Sequence, residues 1–238
     1  MVQGQLTGSR EAFFSAIRKN IKVPPEGKAK FVENPMEGLF TDRELSKEDR
    51  LHLRERFIQE LTALGGQGFR VADRNELIQA LRGIIGGMNV QNAMRWDHPE
   101  LEQLKLEDVF AEANATLHKW PLAKEYDKWI DQAAAMDVGI VWGHMAMAET
   151  GTVVLPHTLQ QPATVSVMPL TLIVIFTTAQ LVDGFYALMK SLKKRYGTDL
   201  PTTITFITGP SRTSDIEMDL TIGVHGSKYV YAFILDEV

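Results

Sequence analysis

The sequence predicts an α/β protein, a mixed or parallel sheet flanked by helices, with a helical extension at the N-terminus. Three observations predict it. Between residues 46 and 95, helix-period and strand-like segments alternate across short polar joints, the pattern of α/β architecture. Continuous apolar runs at 137–142 and 170–176 have the composition of strands buried on both faces. Between Thr203 and Leu235, β-branched runs at 203–207, 220–224 and 229–235 are strand-like and separated by polar loops.

Bulk composition narrows the classes of function. The hydrophobic fraction of 45% over 238 residues is enough for one large core. The expected division is an extension at 1–45 and a single α/β domain at 46–238. Thirty acidic against 25 basic residues argue against a dedicated nucleic-acid surface, which needs a basic face. The chain has no cysteine, which excludes disulfides, thiolate nucleophiles, zinc–thiolate sites and iron–sulfur clusters held by the chain itself. No cluster of residues has metal-ligand spacing, so no metal site is expected. The longest apolar stretch, 170–176, is far short of the roughly 20 residues a membrane span needs. The N-terminus lacks the apolar core of a signal peptide, and a cytoplasmic location is expected.

Each element has a local reason. Ser9 can cap a helix with Ala12, Phe13, Ala16 and Ile17 on one face, ending near Asn20. Pro24, Pro25 and Gly27 cannot continue it. The aperiodic stretch to Leu45 carries Phe31, Met36, Leu39 and Phe40. It is expected to be an arm packed on a surface, and a candidate for reaching a neighbouring copy in a homo-oligomer. Ser46-Lys-Glu-Asp49 reads as a capping box for a helix to Leu64, which Gly65-Gly66 stops. A short strand at 69–71 precedes a helix capped by Asp73 and stopped by Gly86-Gly87.

Residues 88–94 form a weak strand and 96–135 are read as mostly helical. His98 and His118 there, and His52 earlier in the chain, are read as surface or hydrogen-bonded core residues. A buried strand at 137–142 leads through a short helical connection, Gly143 to Thr152, into a strand at 153–155. Further strands are expected at 163–167 and 170–176. An amphipathic helix then runs from Gln180 to Tyr196, with Leu181, Phe185, Leu188, Met189 and Leu192 inward. Its terminal Lys190, Lys193, Lys194 and Arg195 suit the negative end of a helix dipole.

Three polar segments are candidate sites. The loop from Gly209 to Asp215 follows a strand and combines Ser211, Thr213 and Ser214 hydroxyls with Arg212 and Asp215. Arginine offers a bidentate fork for carboxylate or phosphate, and Gly209 permits close backbone approach. If Asp215 caps a short helix, that helix's free N–H groups add to anion binding. Glu149-Thr-Gly-Thr152, placed near a sheet edge, supplies a carboxylate, two hydroxyls and the permissive Gly151. His225, just after a strand, can serve as acid or base near neutral pH. The catalytic candidates are therefore Glu149 and His225. The anion-binding candidates are Thr150, Gly151, Thr152, Gly209, Ser211, Arg212, Thr213, Ser214 and Asp215. A helix cap at Glu149 and an ion pair at Arg212 are the structural alternatives.

Ile207-Thr-Gly-Pro-Ser-Arg-Thr-Ser-Asp-Ile216, Gly223-Val-His-Gly226 and Ala148-Glu-Thr-Gly-Thr152, at this separation, resemble the LUD-domain family in its lactate-utilisation protein C branch. The likeness spans roughly Asp137 to Leu235. It implies a fold similar to the CoA-transferase and ribose-5-phosphate-isomerase-like superfamily. It also implies a part in oxidising L-lactate to pyruvate beside partner proteins that carry the iron–sulfur clusters. A chain without cysteine fits that division of labour. Ser227 departs from the family pattern, which has proline there, and puts the rigidity of that loop in question. Three functions follow: a subunit that binds the small carboxylate, a non-catalytic assembly factor, or a stand-alone enzyme of transferase or isomerase type with Glu149 as its reactive carboxylate.

Overall fold

The computed structural model describes residues 45–121, 128–214 and 220–236, together with Glu11 and Ser15. Contacts divide the chain into Met1–Asp42 and Arg43–Val238, and every element below lies in the second. The helix expected from Ser9 and the arm that follows it lie outside the described residues. Seven α-helices are described: α1 (Lys47–Ala63), α2 (Arg74–Gly86), α3 (Pro99–Gln103), α4 (Glu107–Glu112), α5 (Trp129–Ala134), α6 (Ala163–Val167) and α7 (Phe185–Tyr196). The strands are β1 (Gln67–Val71), β2 (Asn92–Arg95), β3 (Thr116–Lys119), β4 (Val138–Trp142), β5 (Met145–Met147), β6 (Thr152–Pro156), β7 (Thr171–Thr177), β8 (Leu181–Val182), β9 (Ile204–Ile207), β10 (Arg212–Ser214), β11 (Leu220–Ile222) and β12 (Tyr229–Leu235).

Six strands form a parallel sheet in the order β1-β12-β7-β4-β2-β3. β7 lies at its centre with all seven residues buried, which is why its sequence is an uninterrupted apolar run. β12 pairs with it along its whole length, Tyr229 opposite Thr171 through Leu235 opposite Thr177. A second sheet, β8-β5-β6-β9, is mixed. Its period-2 alternation serves two cores. Ala146, Val153, Leu155 and Ile207 join the main core. Met145, Met147, Val154 and Ile204 form a smaller one with Leu188 and Leu192 of α7.

The capping box of α1 is present: Ser46 Oγ accepts from Asp49 N–H at 3.1 Å, and the Asp49 carboxylate accepts from Ser46 N–H at 2.9 Å. Phe57 of α1 meets Phe176 edge to face at 5.2 Å. Buried Arg54 pairs with Asp236 just beyond β12 and with Glu55. Asp73 caps α2, accepting from Asn75 N–H and Glu76 N–H. Buried Arg95 at the end of β2 is held by Glu102 and Glu107.

Four expectations are corrected. The segment 96–135 contains β3, a parallel edge strand whose Thr-Leu-His-Lys has no apolar run to announce it. The connection after β4 is not a helix: β5 precedes a 3-10 turn at Ala148–Thr150, because Met145–Met147 pair with β6 and β8. Residues 163–167 are helical, not extended. Pro162 at the N-cap starts the turn, and Ser166 Oγ donates to Ala163 O at 2.8 Å. The helix expected from Gln180 begins at Phe185, since 181–182 pair with β5, and its Phe185 and Met189 are exposed. Among the described residues, no helix is long and apolar enough to cross a membrane.

Candidate functional site

Two of the polar segments meet at the C-terminal end of α1. β6 and β9 pair antiparallel with Val153 opposite Ile207, which sets Thr152 beside Thr208. Their hydroxyls are 2.7 Å apart, and Thr150 Oγ1 lies 2.6 Å from Thr152 Oγ1. Thr152 is buried. Gly151 has φ +62°, and a Cβ there would lie 2.5 Å from Leu61 N and 2.9 Å from Leu61 Cα. Gly209, at φ +79°, would place a Cβ 3.0 Å from Leu64 Cβ. Both glycines are therefore required by conformation and by the closeness of α1. Arg212 Nη2 donates to Leu64 O at the end of α1, a cation on the negative end of a helix. Together these residues form a socket for the last turn of α1.

The other face of the same loop opens on a cleft of about 430 Å³ that includes Thr208, Gly209, Ser211, Arg212, His225 and Ser227 in its wall. The two loops interlock: Ser211 N–H donates to Ser227 O and Gly223 N–H to Ser211 O, both at 2.9 Å. Ser227, where the resemblance leads one to expect proline, is buried and donates its hydroxyl to Pro169 O at 2.8 Å. Its loop is fixed by that hydrogen bond. Arg212 and His225 are both exposed.

Glu149 is not in the cleft wall. It stands at the N-terminal end of α7, where its Oε2 accepts from Phe185 N–H at 3.3 Å, and Gly184 leaves no room for a Cβ beside it. Arg212, Thr213 and Ser214 are the strand β10, paired antiparallel with β11, where the sequence suggested a loop. Asp215, and the helix it was expected to cap, lie outside the described residues. The structure thus brings Thr150, Gly151, Thr152, Gly209 and Arg212 together around α1. It brings Ser211, Arg212 and His225 together at the cleft, and it sets Glu149 elsewhere.

Sequence reasoning missed a third group. Connections from β2 and β4, neighbours in the sheet, run in opposite directions to β3 and β7, and α/β ligands favour such a switch point at the carboxyl ends of strands. There His98 stacks on Trp142 at 5.6 Å and His144 on Tyr196 at 5.9 Å. Tyr196 OH lies 3.2 Å from His144 Nε2. Burial pushes His144 down to about 4, helped by the nearby Arg195 and His98 charges. Burial also lowers His98. Nδ1 of His98 accepts from Glu100 N–H at 3.2 Å, which puts the imidazole proton on Nε2. A repeated signal marked the place: Trp96-Asp-His98 and Trp142-Gly-His144 close or follow adjacent strands. Among the described residues, no group of three or more His, Asp or Glu side chains is arranged to hold a metal.

The fold and these loops define a class: a parallel α/β domain carrying a smaller mixed sheet, its glycine–threonine–arginine segments seating the first helix beside an open cleft. The chain belongs to the LUD domain family, whose model matches residues 54–235. It is 31% identical over 154 residues to lactate utilization protein C of Halalkalibacterium halodurans, covering 64% of this chain and 66% of that protein. It is 32% identical over 168 residues to lactate utilization protein C 1 of Bacillus mycoides, covering 69% and 71%. The fold is similar to that of a DUF162 family protein from Deinococcus radiodurans, with a TM-score of 0.56 at 18% identity, over 81% of this chain and 99% of that one.

Proposed function

We propose that this chain is a component of a lactate-utilisation system that oxidises L-lactate to pyruvate. Separate iron–sulfur proteins carry the electrons, and this chain binds a small carboxylate or phosphate anion. The names of its relatives support the lactate context. The division of labour is supported by composition: with no cysteine, the chain has no thiolates for a cluster. The observation that carries the anion reading is the cleft wall. It joins Arg212, His225 and the Ser211 hydroxyl, with no carboxylate among its described lining residues. One guanidinium nitrogen is occupied by Leu64 O, and the arginine fork has five N–H donors, so the same side chain serves helix and anion. His225 handles a proton there, because Glu149 is engaged at α7.

Calorimetry of the full chain with L-lactate, pyruvate and phosphate tests this. Arg212→Gln removes the charge and, being two bonds shorter than the guanidinium nitrogen that meets Leu64 O, gives up that contact as well, so its Tm is measured alongside. It is expected to weaken anion binding at least about tenfold, the scale of a charge-assisted hydrogen bond. Absence of binding by the unmodified chain, or unchanged affinity in Arg212→Gln, overturns the anion reading.

A further inference from the structure

We infer that the free edge of β9 is a strand-addition site for an extended, largely uncharged segment of a partner protein, with an acidic residue of that segment facing Arg212 and His225. Only this last feature, the acidic residue, rests on the anion reading above.

His157 N–H donates to Thr203 O at 3.0 Å, and the register places Pro156 opposite Ile204 and Leu155 opposite Thr205. Hydrogen-bonded and non-bonded pairs alternate in antiparallel sheets, and Pro156 has no N–H to give. Thr203, Thr205 and Ile207 therefore turn their backbone groups toward β6. Ile204 and Phe206 turn theirs outward. β9 ends the strand order of its sheet among the described residues, and among those residues its outward row of N–H and C=O groups has no partner strand.

Proteins ordinarily protect such edges with charge, proline or extreme shortness. The other described edges carry charge or are very short: β1 carries Arg70, β3 carries Lys119, β10 carries Arg212, and β8 and β11 are two and three residues long. β9 is Ile-Thr-Phe-Ile, without charge or proline, and its Phe206 is 43% exposed. Thr205–Ile207 also form part of the wall of the 430 Å³ cleft, opposite residues at the starts of β7 and β12. A strand added to β9 would run beside that wall. Backbone pairing supplies the affinity in this mode, and alternate side chains supply the specificity. The occupant is thus defined by chemistry: β-branched or aromatic residues at alternate positions, and a carboxylate where the strand passes Arg212 and His225.

The test is selection of a displayed library of random octapeptides on the full chain, followed by fluorescence polarisation of enriched sequences. Enrichment of alternating β-branched residues with an Asp or Glu is expected. Methylation of alternate amide nitrogens in the enriched peptide is expected to weaken it at least tenfold, as is Phe206→Pro, which removes an outward N–H and leaves the β6 ladder untouched. No enrichment, or equal affinity of the N-methylated peptide, overturns the inference even if Phe206→Pro fails to fold. A dimer in light scattering that Phe206→Pro disperses would assign the edge to a second copy and also overturn it. L-lactate binding without peptide enrichment removes strand addition alone. Peptide binding without any binding of lactate, pyruvate or phosphate removes the small-anion reading alone.

Discussion

Replacing Gly151 by alanine inserts one methyl group between the 3-10 turn and the last turn of α1. Its Cβ would stand 2.5 Å from Leu61 N and 3.0 Å from Glu60 C. These are helix backbone atoms, so relief requires moving α1. Overpacking of this kind destabilises by about 1–3 kcal/mol, and a left-handed conformation adds roughly 1–2 kcal/mol for a residue with a Cβ. The expected loss is about 2–5 kcal/mol, or roughly 5–15 °C in Tm for a domain of this size. Gly65→Ala is the matched comparison. It also has positive φ, +86°, but its Cβ meets only the far end of the Arg212 side chain at 3.0 Å. It should lose only the conformational part. Urea unfolding followed by tryptophan fluorescence, with calorimetric Tm, measures both. If the two variants agree to within about 0.5 kcal/mol, the usual error of additivity, α1 is not seated on Gly151 and the socket is refuted.

Acid should loosen the fold through His144. Its folded pKa of about 4 lies below its ordinary value, so the unfolded chain binds more protons between the two. Stability present above pH 6.5 is lost as pH falls toward 4, about 2 kcal/mol between pH 7 and pH 5. Denaturant titrations at the two pH values measure it, and His144→Gln should flatten the slope. Asp236→Ala leaves buried Arg54 without one of its two described carboxylates, and a loss of about 2–4 kcal/mol in urea unfolding is expected. Ser227→Ala removes the bond to Pro169 O and should lower stability by about 1 kcal/mol. Thermal unfolding that leaves this variant unchanged would mean that the hydroxyl does not fix the loop.

What was legible in the sequence was local. The capping box at Ser46, the Asp73 cap, the stops at Gly65 and Gly87, and the runs that became β7 and β12 each announce themselves within a few residues. β3 did not, because an edge strand shared between half-exposed and exposed positions needs no hydrophobic run. Residues 163–167 misled because a β-branched composition was overridden by Pro162 and by packing on β4, where Gly139 leaves no room for a side chain. The candidate residues were found by type, but their partners were hidden by distance in the chain. Arg212 meets Leu64 across 148 positions, and Glu149 meets Phe185 across 36. The repeated Trp-x-His at 96–98 and 142–144 marks the histidine–tryptophan group locally, but that the two copies meet at a switch point depends on sheet order, which no local pattern encodes.

The concentration of glycine, hydroxyl and arginine in these segments has two causes, and burial separates them. Gly151 and Thr152 serve packing: they are closed against α1 or against neighbouring hydroxyls, and no ligand touches an atom that the fold already covers; Gly209 seats α1 and also borders the cleft. Ser211 and His225 face the cleft, and their chemistry is free to act there. Arg212 belongs to both. Its guanidinium is tied by one nitrogen to the Leu64 carbonyl that caps α1 and stands in the cleft wall. The direction of its fork is therefore set by where α1 ends. Displacement of that helix end, by a partner or by the Gly151→Ala methyl group, should be felt at the cleft as a change in anion affinity. Gly65→Ala, which touches the guanidinium itself, should change anion affinity more than stability, and Gly151→Ala should change both. That contrast would separate a shared arginine from one that is merely structural.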